Sequence, residues 1–230
     1  MLLKFLLKRN GPGMLTMQQW LIISCGFSCF LLAARVFITG HLTYIFLLWN
    51  LFLAFLPYAI TVWLWAHSRT TNNKMILVGF MILWLLFIPN SFYILTDLFH
   101  LDNFHSAPKW FDLLMIFSFA WNGLLLGLMS VRKTELILEV VSGRGFSFLI
   151  VFIVMWLNAF GIYIGRYLRF NSWDIIMQPF SLFNEMLEIL LHPVRNKMEW
   201  GMIMVYALFM TVLYITVKKL GENFQTINQK

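Results

Sequence analysis

The sequence predicts an all-α polytopic membrane bundle: six transmembrane helices, plus one amphipathic helix lying in the interface on the outer side. Three observations carry this. First, 60% of the 230 residues are hydrophobic and only 12% are charged, about half the charged share of a soluble domain. A soluble fold of this size cannot hide so much apolar surface, and a disordered chain would hold far less of it. Second, the apolar residues gather in six runs of the roughly 20 residues that a bilayer core demands. Third, the charges divide unequally between the two sides that these runs define.

The runs are about 17–39, 43–66, 75–96, 111–131, 146–166 and 200–217. Ahead of the first, Lys4, Lys8 and Arg9 stand among leucines, and Gly11, Pro12 and Gly13 break the segment from the span. The first run ends Leu32-Ala33-Ala34-Arg35, a poor cleavage site for a signal peptide, so the span is kept as an anchor. Pro57 and Pro89 lie inside spans, where membrane helices tolerate them with a kink. Cys25 and Cys29 are four apart on one face of the first span and read as packing residues rather than a disulfide. Nothing divides the chain, so residues 1–230 read as one integral membrane domain.

With a cytoplasmic N-terminus, eleven of the 17 Lys and Arg fall on the inner side with three acids, and six fall outside with seven acids. The inner side then carries +8 and the outer side −1, which accounts for the chain's +7. The basicity is a positive-inside signal, not a nucleic-acid footprint. It places both termini in the cytoplasm. Trp20, Trp63, Trp65, Trp110, Trp173 and Trp200 near span ends suit an aromatic belt. Residues 175–191 are apolar but contain Glu185 and Glu188. Phe180, Phe183, Leu187 and Leu190 recur at helical spacing there, which suits an interfacial helix. A seventh span would bury both carboxylates at a cost of several kcal/mol.

Polar residues inside or at the edge of a membrane are expensive and therefore mark candidate sites. Asn90, Tyr93, Asp97 and His100 recur at steps of three, four and three. On a helix continued through His100 they form one stripe rising to the outer edge. Asp102, Asn103 and His105 follow, and Asp112 opens the fourth span. On the fifth span Asn158, Gly161, Gly165 and Arg169 share a face, with Arg166 beside it, and Asn171 and Asp174 follow. Facing each other, the two stripes would make a charged pocket.

Three readings of this pocket are open. Asp97 or Asp112 pairs with Arg166 or Arg169 and locks helices together. Alternatively, Asp97 and His100 with His105 hold a divalent metal, zinc or manganese by donor type. In the third, Arg166 and Arg169 clamp a phosphate-bearing headgroup, and Asp97, His100 or Asp112 serves as acid or base. Gly123 and Gly127, like Gly161 and Gly165, are spaced for close helix approach, and Asn50 and Asn122 suit inter-helix hydrogen bonds. A row of asparagines also suits a permease. No nucleophile elbow, Walker loop or dinucleotide-binding glycine pattern is present.

The stretch 84–101 holds Trp84, Pro89, Asn90, Asp97 and His100. Together with Trp110 to Asp112, the stretch 160–174 and the pair Trp49-Asn50, it resembles the signature of an uncharacterised bacterial integral membrane family, domain of unknown function 1361. The segments stand in that family's order. The resemblance implies a bacterial cytoplasmic membrane and brings no activity with it. The expectation is a multi-pass protein in a lipid bilayer, without nucleic acid, that binds or processes a lipid or lipid-linked headgroup. The alternative is a permease-like or scaffold protein with a structural ion-pair network.

Overall fold

The computed structural model describes residues 16–67, 74–101, 106–170 and 174–227. Among the described residues the regular elements are all helical: α1 (Met17–Thr39), α2 (Phe46–Ala66), α3 (Lys74–Tyr93), a 3₁₀ segment (Ile94–His100), α4 (Lys109–Ser142), α5 (Arg144–Arg166), α6 (Asp174–Met177), α7 (Pro179–Leu191) and α8 (Lys197–Ile227). Six stretches of them are long and apolar enough to cross a bilayer: Met17–Thr39, Phe46–Ala66, Met75–His100, Lys109–Glu139, Gly145–Arg166 and Lys197–Asn223. Each overlaps one of the predicted runs.

Local chemistry sets several boundaries. Thr16 caps α1: its hydroxyl accepts from the Gln19 amide at 3.2 Å, and the Gln19 side chain accepts from the Thr16 amide at 2.8 Å. This reciprocal pair satisfies two donors that a helix start leaves open. Gly40 ends α1 at φ 69°, a left-handed turn that suits glycine. α4 is 34 residues long, about 50 Å at 1.5 Å per residue, so it outruns a hydrocarbon core of roughly 30 Å. α7 has 13 residues and spans only about 20 Å. It buries Leu182 and Ile189 while Phe180, Phe183 and Leu191 are exposed, as an interfacial helix requires.

The chain resolves into two compact units, Met1–Ser130 and Val131–Lys230. In the first, α2 lies along α3. Leu32, Leu47, Val62, Ile94, Ile116 and Phe119 join α1, α2, the 3₁₀ segment and α4 in one apolar core. Glycine lets α4 approach closely. A Cβ on Gly123 would stand 2.2 Å from Ile94 Cγ2 and 3.1 Å from the Ser91 carbonyl oxygen, and one on Gly127 would meet Ser91 Cβ at 2.9 Å. Side-chain hydrogen bonds cross the same helices. Trp84 donates to Ser130 at 2.8 Å, Asn122 to Ser28 at 2.8 Å, and Ser91 to the Ala54 carbonyl at 2.9 Å. Such bonds supply part of the helix association that a hydrophobic effect cannot supply in lipid. In the second unit α5 lies along α8, and Trp156 stacks on Trp200 with ring centroids 5.7 Å apart.

The glycine contacts give a direct test. Gly127→Ala and Gly123→Ala are expected to destabilise the purified protein by about 1–3 kcal/mol, the usual cost of overpacking. Gly79→Ala, where nothing lies within 4 Å of the new methyl, is expected to be neutral or stabilising by up to about 1 kcal/mol through helix propensity. Thermal melts of the three variants in one detergent separate these outcomes.

Candidate functional site

In the first unit the dominant polar feature is a buried ion pair. Arg35, in the last turns of α1, donates from Nε to Asp112 Oδ1 at 2.7 Å and from Nη2 to Oδ2 at 3.2 Å. Both side chains are essentially closed to solvent, at 0% and 1% exposure. The remaining guanidinium donors reach Thr43 Oγ1 at 2.7 Å and Ser106 Oγ at 3.1 Å, and the guanidinium carbon lies 4.5 Å over the Tyr44 ring. Both helix ends favour the arrangement, since a cation suits the end of α1 and an anion the start of α4. The fork-on-fork geometry is the strongest form of such a pair. Asp112 was expected to meet Arg166 or Arg169. Its partner is Arg35, near the end of the first predicted span. Both Asp112 oxygens are occupied, so the group is built as an anchor.

The other half of the predicted stripe changes helix type partway. Asn90 and Tyr93 lie on α3, and Asp97 and His100 on the 3₁₀ segment. At three residues per turn, Asp97 and His100 stack directly above one another. Asp97 is buried and accepts from Asn50 Nδ2 at 2.7 Å. The His100 ring packs edge-on against Phe46 at 5.2 Å, and its carbonyl accepts from the Tyr44 hydroxyl at 3.0 Å. Asn90 turns back to the Phe87 carbonyl at 3.0 Å. Among the described residues no three His, Cys, Asp or Glu side chains gather as a metal site would need. Asp102, Asn103 and His105 lie outside the described residues.

In the second unit Asn158 is fully buried on α5, with its amide 4.0 Å from the Met155 sulfur. The predicted stripe assumed helix through Arg169, but α5 ends at Arg166. Arg169 has φ 61°, the one described residue other than glycine in the left-handed region. The Phe170 amide reaches back to the Ile164 carbonyl at 3.3 Å, so Arg169 takes the left-handed position of the turn that follows α5, a conformation that favours glycine. Arg169 therefore leaves the face of Asn158 and stands exposed. Tyr163 and Tyr167 stack at 5.5 Å just before it. Asp174 opens α6, largely buried. Asn171 lies outside the described residues.

Sequence reasoning missed a second charged cluster. Glu135 on α4 is 1% exposed and accepts from Lys218 Nζ at 2.7 Å, from the Tyr214 hydroxyl and from Arg132. Glu139 stands 3.9 Å from the same Arg132. Arg132, Glu135 and Lys218 lie just past the predicted span ends at 131 and 217, where the charge count takes them only as inner-side charges. The signal was present in the i, i+3 spacing of Arg132 and Glu135.

Long apolar helices tied by buried ion pairs define a multi-pass membrane protein. Comparison with known families matches residues 49–214 to the one described as Protein of unknown function (DUF1361). The chain belongs to that family. The matched region contains Asn50, Asp97, Asp112, Glu135, Arg169 and Tyr214, while Arg35 precedes it. No curated protein and no solved structure matches the chain.

Removing one partner of the buried pair leaves the other charge stranded. Arg35→Ala and Asp112→Ala are each expected to cost about 3–5 kcal/mol, whereas an apolar pair such as Arg35→Met with Asp112→Leu costs much less. A double-mutant cycle read from thermal melts checks this, and strictly additive losses would remove the pair from the account.

Proposed function

We propose that the protein binds the phosphate-bearing headgroup of a lipid or lipid-linked molecule at the edge of the bilayer, with Arg166 and Arg169 as the anion ligands. The positive-inside count supports an outer location for this edge, with both termini in the cytoplasm, and the family resemblance implies a bacterial plasma membrane. The observation that carries the reading is the conformation of Arg169. A left-handed backbone costs a residue with a Cβ roughly 1–2 kcal/mol, and glycine would make the same turn freely. An arginine here is worse for the fold than the simplest alternative, so a use for its side chain is the natural explanation. Among the described residues no carboxylate forms an ion pair with Arg169. A guanidinium offers a planar fork that matches phosphate oxygens. The adjoining tyrosines and the short helix α7 suit the depth of lipid headgroups.

A catalytic role would fall to Asp97 and His100 in the first unit. The hydrogen bond from Asn50 to a buried Asp97 supports positioning more than proton transfer. With both Asp112 oxygens on Arg35, that carboxylate supports the second reading, a scaffold held by ion pairs.

The two readings predict opposite behaviour for Arg169→Gly. Under headgroup binding, the variant is expected to be as stable as the wild type, or up to about 1 kcal/mol more stable, in neutral detergent. It is also expected to lose the thermal stabilisation that added phosphatidylglycerol gives the wild type through ligand linkage. Equal stabilisation of wild type and variant by phosphatidylglycerol would favour the scaffold.

A further inference from the structure

Between α1 and α2 the first unit opens into an apolar groove of about 330 Å³. Its inner wall is buried protein, with Leu51, Tyr58 and Leu126 each under 9% exposed. The mouth is formed by Ile22, Leu48 and Phe52, at 46%, 38% and 49% exposure on candidate membrane spans. The groove is therefore continuous with the surface that α1 and α2 present to lipid. Hydrocarbon is the medium that meets this mouth.

Dimensions select one occupant. On α1 the lining advances from Gln18 to Cys29, about 16 Å at 1.5 Å per residue. On α2 it advances from Leu48 to Tyr58, about 15 Å. Both lengths equal half of a roughly 30 Å hydrocarbon core, the depth of one leaflet. If a methylene takes about the 30 Å³ of a liquid water, the volume holds on the order of ten of them. A helix, about 10 Å across with its side chains, is too wide to enter. An empty slot would forfeit dispersion contacts along its whole wall. Polarity then sets the direction. Gln18 stands in the first turn of α1, at the same end of the groove as Tyr58, and Trp20 is exposed two residues along. The amide and the indole belong at the depth of headgroups and ester groups. Cys25 and Cys29 lie deeper along an apolar wall.

We infer that this groove is a binding site for one acyl chain of a bilayer glycerolipid, with the ester end at Gln18 and the tail running toward Cys29. The site lies wholly in the first unit, and its lining contains neither Arg166 nor Arg169.

Native mass spectrometry of the protein released from mild detergent reads the occupant directly. The expected result is a single retained glycerolipid on the wild type. Retention is expected to fall several-fold in Ile22→Trp, which plugs the mouth from an exposed position and leaves the core intact. Cys25→Phe, filling the middle of the slot, is expected to act alike, and a thermal melt confirms that each variant is folded. Arg169→Gly is expected to retain the lipid, which separates this site from headgroup capture. Undiminished retention in folded Ile22→Trp and Cys25→Phe would overturn the inference. So would a wild type that carries no lipid, a free fatty acid only, or a second copy of the chain in its place.

Discussion

The pairing of Arg35 with Asp112 places an absolute demand on the first unit. A guanidinium inside a membrane span is tolerated only when its charge and its donors are met at once. Asp112 meets the charge, Thr43 and Ser106 take the remaining donors, and the Tyr44 ring covers the exposed face. Those four partners come from the turn after α1, the turn before α4 and α4 itself. Satisfying one side chain therefore fixes where three segments must end. The Tyr44 hydroxyl extends the same arrangement to the His100 carbonyl, and Asn50 then reaches Asp97. One charged group thus orders a whole end of the unit, and the apolar core beneath it needs only to fill space.

The second unit repeats the solution with different parts. Glu135 is the buried charge, and two cations and a phenol surround it. The cluster ties α4 to α8 much as the Arg35 pair ties α1 to α4. In both places a long side chain near a helix end finds its partner on a distant helix. A bilayer offers no hydrophobic incentive for one helix to choose another, so such polar contacts and close glycine approaches decide the pairing.

Much of the architecture was legible from composition alone. The six spans follow from run length, and their limits differ from the structure by a few residues at most ends. The short amphipathic helix was visible in the spacing of Phe180 and Phe183. The inter-helix roles of Asn50 and Asn122 and the close approach at Gly123 and Gly127 were equally readable, because each has a narrow physical meaning. Pairing was not. Arg35, Arg166 and Arg169 all stand at span ends, and hydropathy treats them alike. Their partners lie far along the chain, and no periodicity encodes which one is met. Glu135 was lost for a related reason: α4 outruns the bilayer, so a hydrophobicity window closes before the buried cluster begins. The turn at Arg169 was hidden because the residue there defies the preference for glycine that normally signals a helix stop.

Sequence separation gives the Arg35 pair a further meaning, in the order of assembly. Its two members stand 77 residues apart, and those of the Glu135–Lys218 pair 83 apart. At a synthesis rate of about 5–20 residues per second, α1 enters the membrane several seconds before Asp112 exists. During that interval Arg35 must keep its head at the interface, as long basic side chains near a helix end can. Glu135 already has Arg132 three residues before it on α4, and Lys218 and Tyr214 join it when the last helix arrives. Each unit is closed by its final long helix, and a chain truncated before α4 leaves Arg35 without its carboxylate, an unanswered charge that distinguishes it from the finished protein.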